Sequence, residues 1–289
     1  MTRILKLFII LVVFSPAAPA DETNRYLFWK VEGAPGTAYL LGSIHVGTPD
    51  MYPLSKAITQ AFTNADTLVV EINLLDVDPT STNLLFTRKG LYQGKGTLES
   101  RLEPQTWQLL IAATKRYNLP LVMLRQQKPW LAALTLTTWV FQQEGYNAEL
   151  GVDQHFLNQA ETSHDIVELE SLEQQLNIFD QFSPAEQEDF LLKTLQEISQ
   201  GGEYLQALKS AWKGGDTAAI NELINATLQT NSDIYQRLIT ERNKTMTARI
   251  IELLNQEKIS FVVVGAGHLV GEHSIVQELA EKGYKVERL

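Results

Sequence analysis

Thr37-Ala38-Tyr39-Leu40-Leu41-Gly42-Ser43-Ile44-His45 and Phe261-Val262-Val263-Val264-Gly265-Ala266-Gly267-His268 decide the fold. Each is an apolar run of strand length that closes on Gly-x-x-His. Runs of apolar, β-branched and aromatic residues bounded by glycine read as buried strands. After His45, Pro53 opens an amphipathic helix with Leu54, Ile58, Ala61 and Phe62 on one face, and Leu68-Val69-Val70-Glu71-Ile72 is a short apolar strand. After His268, residues 271–282 read as a helix and 284–289 as a last strand. The chain ends therefore read as two similar β-α-β halves of one central sheet, a mixed α/β (α+β) class.

Outward from these two segments, Phe28-Trp29-Lys30-Val31-Glu32 alternates and meets the turn cluster Gly33-Ala34-Pro35-Gly36, which predicts a β-hairpin with the strand beginning at Thr37. Residues 80–118 read as helical apart from the glycine-rich stretch from Gly90 to Gly96. Leu119-Pro120-Leu121-Val122-Met123 reads as a short strand, Pro129-Trp130 opens a helix through Phe141, and 151–161 is a helix. Asp165-Ile166-Val167-Glu168-Leu169 is a strand, and 172–256 is mostly helical with breaks at Ser183-Pro184, Gly201-Gly202 and Gly214-Gly215. The expected organisation is one domain over 21–289, its sheet interrupted by a large helical insertion at about 172–258.

Composition narrows the function. The chain has 289 residues, 44% hydrophobic and 20% charged, enough to bury a core without covalent staples. It has no cysteine, which excludes disulfide frameworks, thiolate metal sites and a cysteine nucleophile. The net charge of −10 argues against nucleic acid and anionic membrane surfaces as partners. Residues 1–20 read as an export signal: Arg3 and Lys6 precede the apolar run Leu7 to Phe14, and Ala18-Pro19-Ala20 supplies small residues for cleavage before Asp21. Removing Arg3 and Lys6 takes the charge from −10 to −12. No later apolar run is long enough to span a bilayer, so a periplasmic or secreted protein without membrane insertion is expected.

The chemistry-bearing candidates follow from position. Each Gly-x-x-His lies just past the carboxyl end of a predicted buried strand, the edge where α/β sheets place ligand sites. Two such histidines at equivalent places carry more weight than one. Glu71 sits in an apolar strand, where a carboxylate needs a partner or a ligand. Two neutral imidazoles and one carboxylate suit a divalent metal with open positions; His45 and Glu71 could equally serve as bases without metal. Asp153, at a helix start, could act in the site or merely cap. Glu170 ends a predicted strand and could face the same crevice. Arg242 lies on a charged helix, where solvent exposure is the default and carboxylate or oxyanion binding the functional alternative. His155, Asn243 and His273 are further polar positions, His273 read as exposed. His268-Leu269-Val270-Gly271-Glu272-His273 lacks the zincin spacing, Gly265-Ala266-Gly267 lacks the last glycine of a dinucleotide fingerprint, and no Walker A or Gly-x-Ser-x-Gly motif occurs.

Together, Leu40-Leu41-Gly42-Ser43-Ile44-His45, Val69-Val70-Glu71, Lys128-Pro129-Trp130, Gly151-Val152-Asp153, Leu169-Glu170-Ser171, Glu241-Arg242-Asn243 and Val264-Gly265-Ala266-Gly267-His268 resemble the TraB/GumN family, which includes the Tiki proteases. The resemblance runs from Phe28 to Val286. It implies a mixed α/β fold related to erythromycin-esterase-like proteins, and a divalent-metal-dependent peptidase. The ion (Mn, Co or Zn) would be held by His45, His268 and Glu71, with Asp153, Glu170 and Arg242 around them or on the substrate. Unlike in the Tiki proteins, no C-terminal membrane anchor is expected. The expected partner is a peptide or protein substrate. The alternatives are a metal-independent, esterase-like hydrolase and a non-enzymatic protein that sequesters a peptide or haem.

Overall fold

The computed structural model describes residues 25–160, 162–229 and 232–289. The expected signal at 1–20 lies outside the described residues. Their strands form one six-stranded sheet. β1 (Phe28–Glu32) and β2 (Thr37–Ser43) make the predicted hairpin, with Phe28 opposite Leu41 and Glu32 opposite Thr37. β3 (Thr67–Val70), β4 (Asp165–Glu168), β5 (Ile259–Gly265) and β6 (Lys285–Arg288) complete it in the order β4-β3-β5-β2-β1-β6. β2, β5, β3 and β4 run parallel, and β1 is antiparallel to both of its neighbours.

The two chain ends do build the sheet, and they interleave. β5, from the C-terminal half, lies between β2 and β3 of the N-terminal half. Because side chains alternate across a strand, burial of consecutive residues means cover on both faces. Every residue of β3 and Ser260 to Val264 of β5 are buried. This explains why their sequences read as unbroken apolar runs rather than alternating ones.

Ser55 caps α1 (Lys56–Thr63), whose Ile58, Ala61 and Phe62 are buried as the helical spacing predicts. Phe62 meets Phe261 edge-on at 5.5 Å, and Phe156 of α5 (Val152–Ala160) lies 4.8 Å from the same ring. Between α1 and α5 come α2 (Pro79–Gly90), α3 (Pro104–Arg116) and α4 (Pro129–Gln143). After β4 follow α6 (Leu172–Asp180), α7 (Pro184–Ser199), α8 (Gly202–Gly214) and the short turns α9 (Thr217–Ile220), α10 (Thr227–Gln229) and α11 (Ser232–Tyr235). α12 (Glu241–Leu254) and α13 (Ile275–Glu281) flank β5 in sequence.

The helical layer draws on more of the chain than 172–258. Leu110 of α3, Leu136 of α4 and Leu191 and Leu195 of α7 share a core separate from the sheet's. Leu121–Met123 forms a 3-10 turn rather than the expected strand. Val122 and Met123 stand exposed there, with no neighbouring strand for Pro120 and its successors to pair with. Among the described residues, no helix is long and apolar enough to cross a membrane.

Candidate functional site

The carboxyl ends of β2, β5, β3 and β4 lie side by side and carry the candidate residues. His45 stands two residues beyond β2, and its loop is docked against the start of α5. Val152 N–H donates to the Ile44 carbonyl at 3.0 Å, and Gly47 and Asn147 exchange backbone bonds of 2.9 Å. Gly151 permits this approach, because a Cβ there would lie 2.5 Å from the His45 carbonyl oxygen. One turn of helix then places Asp153 beside the His45 ring. Asp153 Oδ2 is 2.9 Å from His45 Nδ1, and Asp153 Oδ1 accepts from Ser43 Oγ at 2.7 Å. Asp153 therefore braces the site rather than serving as a mere cap. Its charge lifts the His45 imidazole to about 9 against the opposing effect of desolvation. The ring keeps 69% of its side-chain surface open to solvent, which moderates that attraction.

Glu71 is placed one residue past β3, not inside it. Its backbone continues the ladder, since Glu170 N–H donates to the Glu71 carbonyl at 2.9 Å. This sets the two side chains on adjacent strand ends. Glu71 is buried and Glu170 largely so, with 9% side-chain exposure each, around Arg242. Arg242 Nη2 donates to Glu71 Oε2 at 2.6 Å and to Glu170 Oε2 at 2.7 Å. Its Nε donates to both Glu170 oxygens at 3.0 Å, and its Nη1 to the Leu238 carbonyl at 3.1 Å. Every guanidinium nitrogen is thus engaged within the protein. Arg242 lies two residues past a π-helical turn, Gln236–Thr240, a wide geometry often found at functional sites.

Glu71 Oε1 accepts from Gly265 N–H at 2.7 Å. Burial works against the Glu71 charge, but the surrounding cationic and N–H groups outweigh it and hold the carboxyl well below the usual range. His268 is pushed down to about 3, first by burial and then by Arg242. His268 is therefore neutral near pH 7, and Arg242, the protonated His45 and Gly265 N–H are the partners that keep Glu71 ionised there.

His268 ends the 3-10 turn Ala266–His268 that follows β5. Its Nδ1 is 2.6 Å from Asn243 Oδ1, and its Nε2 is 3.8 Å from Glu71 Oε1. The two Gly-x-x-His segments differ in phase by one residue: Ser43 is the register partner of Gly265, so Gly42 faces Val264. All three candidates meet at Gly265. A Cβ built there would stand 3.2 Å from Glu71 Oε1, 3.5 Å from His268 Cδ2 and 3.7 Å from His45 Nε2. The side chains at 45, 71 and 268, drawn from three strand ends, enclose one small volume over a residue without a side chain.

The donor chemistry fits a divalent ion: two imidazoles each engaged through Nδ1, and a carboxylate held ionised beside them. The spacing is open. Ligands at 2.0–2.2 Å from a common ion lie roughly 3–3.5 Å apart, against 3.8 Å between His268 Nε2 and Glu71 Oε1. Among the described residues, no three His, Asp or Glu side chains stand close enough together to hold an ion as they are.

Gln175 escaped the sequence reading. Its Nε2 donates to Glu71 Oε2 and Glu170 Oε2, both at 3.0 Å, so it and Arg242 bridge the same two oxygens. Ser171 caps α6 with a reciprocal Gln174 bond, which starts the helix where Gln175 turns back to the strand ends. Nothing in the run Glu173-Gln174-Gln175 marks its last member. Ser43 was visible only as a letter of its motif. His155 lies apart, stacked 4.4 Å from Tyr52. Recesses of about 350 Å³ beside Ile72, Asp76 and Glu168 and about 310 Å³ beside Glu170, Arg237 and Arg242 flank the cluster.

Fold and site together define a mixed α/β protein with a His-Glu-His cluster at the carboxyl edge of its parallel strands. The chain belongs to the TraB/PrgY/gumN family, which it matches over residues 27–288. It is 28% identical to the uncharacterized protein YbaP of Escherichia coli (strain K12) over 242 residues, 83% of this chain and 87% of that protein. Shorter stretches resemble Metalloprotease TIKI2 of Xenopus tropicalis, 37% identical over 83 residues, 25% of this chain and 16% of that one. A Metalloprotease TIKI homolog of Nematostella vectensis is 41% identical over 78 residues, 21% of this chain and 17% of that one. No solved structure matches the chain.

Proposed function

We propose that this protein is an exported, divalent-metal-dependent hydrolase of peptide bonds, acting in the periplasm or outside the cell. The observation that carries the reading is the meeting of His45 Nε2, Glu71 Oε1 and the His268 ring around Gly265. Family membership and the local likeness to Tiki metalloproteases support it. The signal-like N-terminus supports export.

His45, His268 and Glu71 would hold the ion, and Mn, Co and Zn all accept this donor set. When bound, such an ion acidifies water and polarises a carbonyl. The chain's own residues do the rest. Asp153 orients His45 through Nδ1. Arg242 and Gln175, which Glu170 holds in place by accepting from both, fix Glu71 by Oε2, and Gly265 N–H steadies Oε1 at the crevice, where an ionised carboxylate can bind the ion or accept a proton. Arg242 is spent on the protein's own carboxylates, so its role is to place Glu71 rather than to grip substrate. The flanking recesses give side chains of a peptide or protein substrate somewhere to sit; nucleic acid does not suit a chain of net charge −10.

The test is metal content together with hydrolysis of a peptide library read by mass spectrometry, for the wild type and His45→Ala. The expected result is bound divalent metal, cleaved peptides, and loss of both in the variant. Absence of metal binding with unchanged hydrolysis by His45→Ala overturns the proposal. So does full activity in strong chelator, which points to a metal-independent hydrolase. Peptides bound and returned intact point to a sequestering protein.

A further inference from the structure

His268 sits in a loop held by two fully buried asparagines. Asn225 Nδ2 donates to the Gly267 carbonyl at 3.1 Å and to the Val270 carbonyl at 3.3 Å. Asn243 Nδ2 donates to the His273 carbonyl at 2.8 Å, and its Oδ1 meets His268 Nδ1 at 2.6 Å. Both side chains are 0% exposed. The loop between them turns through left-handed backbone at Gly271 (φ +81°) and at His273 (φ +61°). A non-glycine residue rarely takes that conformation without a compensating contact. Here His273 N–H donates to Gln277 Oε1 at 3.2 Å, and the bond from Asn243 holds the His273 carbonyl.

That bond decides the direction of the Asn243 amide. A carbonyl can only accept, so the group facing His273 must be Nδ2 and the group facing His268 must be Oδ1. Oδ1 in turn only accepts, so His268 Nδ1 must carry the proton. A neutral imidazole carries one proton, which leaves Nε2 bare on the side of Glu71 Oε1, 3.8 Å away. The reversed amide would face oxygen to oxygen at His273 and leave the fully buried Asn243 oxygen without a donor. A neutral histidine side chain free in water prefers the opposite, Nε2–H form, so this arrangement has to be imposed.

We infer that Asn243 is a positioning residue that locks His268 as the Nδ1–H tautomer and keeps Nε2 unprotonated toward the crevice, with His273's left-handed backbone supplying the carbonyl that orients it. This deepens the hydrolase reading, whose ion would need that bare nitrogen, but the tautomer holds or fails whether or not the protein is a hydrolase.

The experiment is two-bond 1H–15N correlation on metal-free protein labelled with 15N-histidine. A bare ring nitrogen resonates far downfield of an N–H nitrogen, and His268→Gln identifies the His268 signals among the five histidines. The expected wild-type pattern is bare Nε2 and protonated Nδ1. Asn243→Leu, near in size but without an acceptor, should lower the ratio of Nδ1–H to Nε2–H at least tenfold. His273→Gly keeps the carbonyl in an unstrained backbone and should leave the tautomer unchanged. A wild-type Nε2–H pattern overturns the inference, and this arm does not depend on any variant folding. An unchanged tautomer in folded Asn243→Leu overturns it as well.

Discussion

Gly265→Ala would probe the convergence of the three candidate side chains with one methyl group. Gly265 has φ −50° and ψ 138°, a backbone open to any L-residue, so alanine adds no dihedral strain. A compatible Gly-to-Ala change stabilises by about 0.4–1 kcal/mol through the unfolded chain. Against this, the new Cβ stands 3.2 Å from Glu71 Oε1, which must yield by a few tenths of an ångström while tied to Arg242 at 2.6 Å. The two effects nearly cancel, so stability should stay within about 1 kcal/mol, or roughly 2–4 °C in Tm for a chain of this size. Function should respond very differently. The methyl occupies the space between Oε1, His45 Nε2 at 3.7 Å and the His268 ring at 3.5 Å, where an ion or water would have to sit. Misplacing reacting groups by about 1 Å costs on the order of 100-fold in rate. The assay pairs scanning calorimetry with metal titration and peptide turnover. A variant that folds like the wild type and also binds metal and turns over like it would refute the reasoning, because the donors would then meet elsewhere.

Arg242→Gln leaves Glu71 and Glu170 buried without their cation and should destabilise by about 3–5 kcal/mol in urea unfolding; adding Glu170→Gln should recover part of the loss, and strictly additive effects in that double-mutant cycle would sink the shared-cation account. Stability should also depend on pH through His268. Its folded value of about 3 lies below the ordinary 6.5, so the unfolded chain binds a proton that the folded one refuses, and stability falls by a few kcal/mol as pH drops from 6.5 toward 3. His268→Gln should flatten that slope. On the alkaline side, His45 is raised to about 9, so its contribution is whole below 6.5 and fades as pH rises through 9, a small effect for so exposed a ring. Gly151→Ala puts a Cβ 2.5 Å from the His45 carbonyl and should displace His45, costing about 1–3 kcal/mol and most activity; normal turnover in that variant would show that the docking of α5 is not what sets the ring.

Much of this was legible beforehand because it is local. An apolar run closed by glycine reports its own burial, and the spacing of Leu54, Ile58 and Phe62 reports its own helix. Gly-x-x-His at two strand ends pointed to the edge where the rings lie. Glu71 stands out as an acid among apolar neighbours, but the apolar run continues through Ile72 and hides that the strand stops at Val70. Leu119 to Met123 read as a strand from its apolar letters, and a strand also needs a neighbour to bond, which no local pattern reports. Arg242 looked like one more charge on a charged helix, whereas its side chain is 13% exposed and shared by two carboxylates.

The sequence by itself determined most of the elements, the class of fold and the family, since each follows from short-range periodicity, turn chemistry and a few spaced motifs. The tertiary structure alone decided that β5 enters between β2 and β3, and with it everything that depends on register. Arg242 lies 171 residues from Glu71, and Gln175 lies 104 from it. Such partners are chosen by which strand ends stand side by side and by where a capped helix points its first turn. Those are properties of packing in three dimensions, in which residues remote along the chain share one desolvated volume and must satisfy each other's charges.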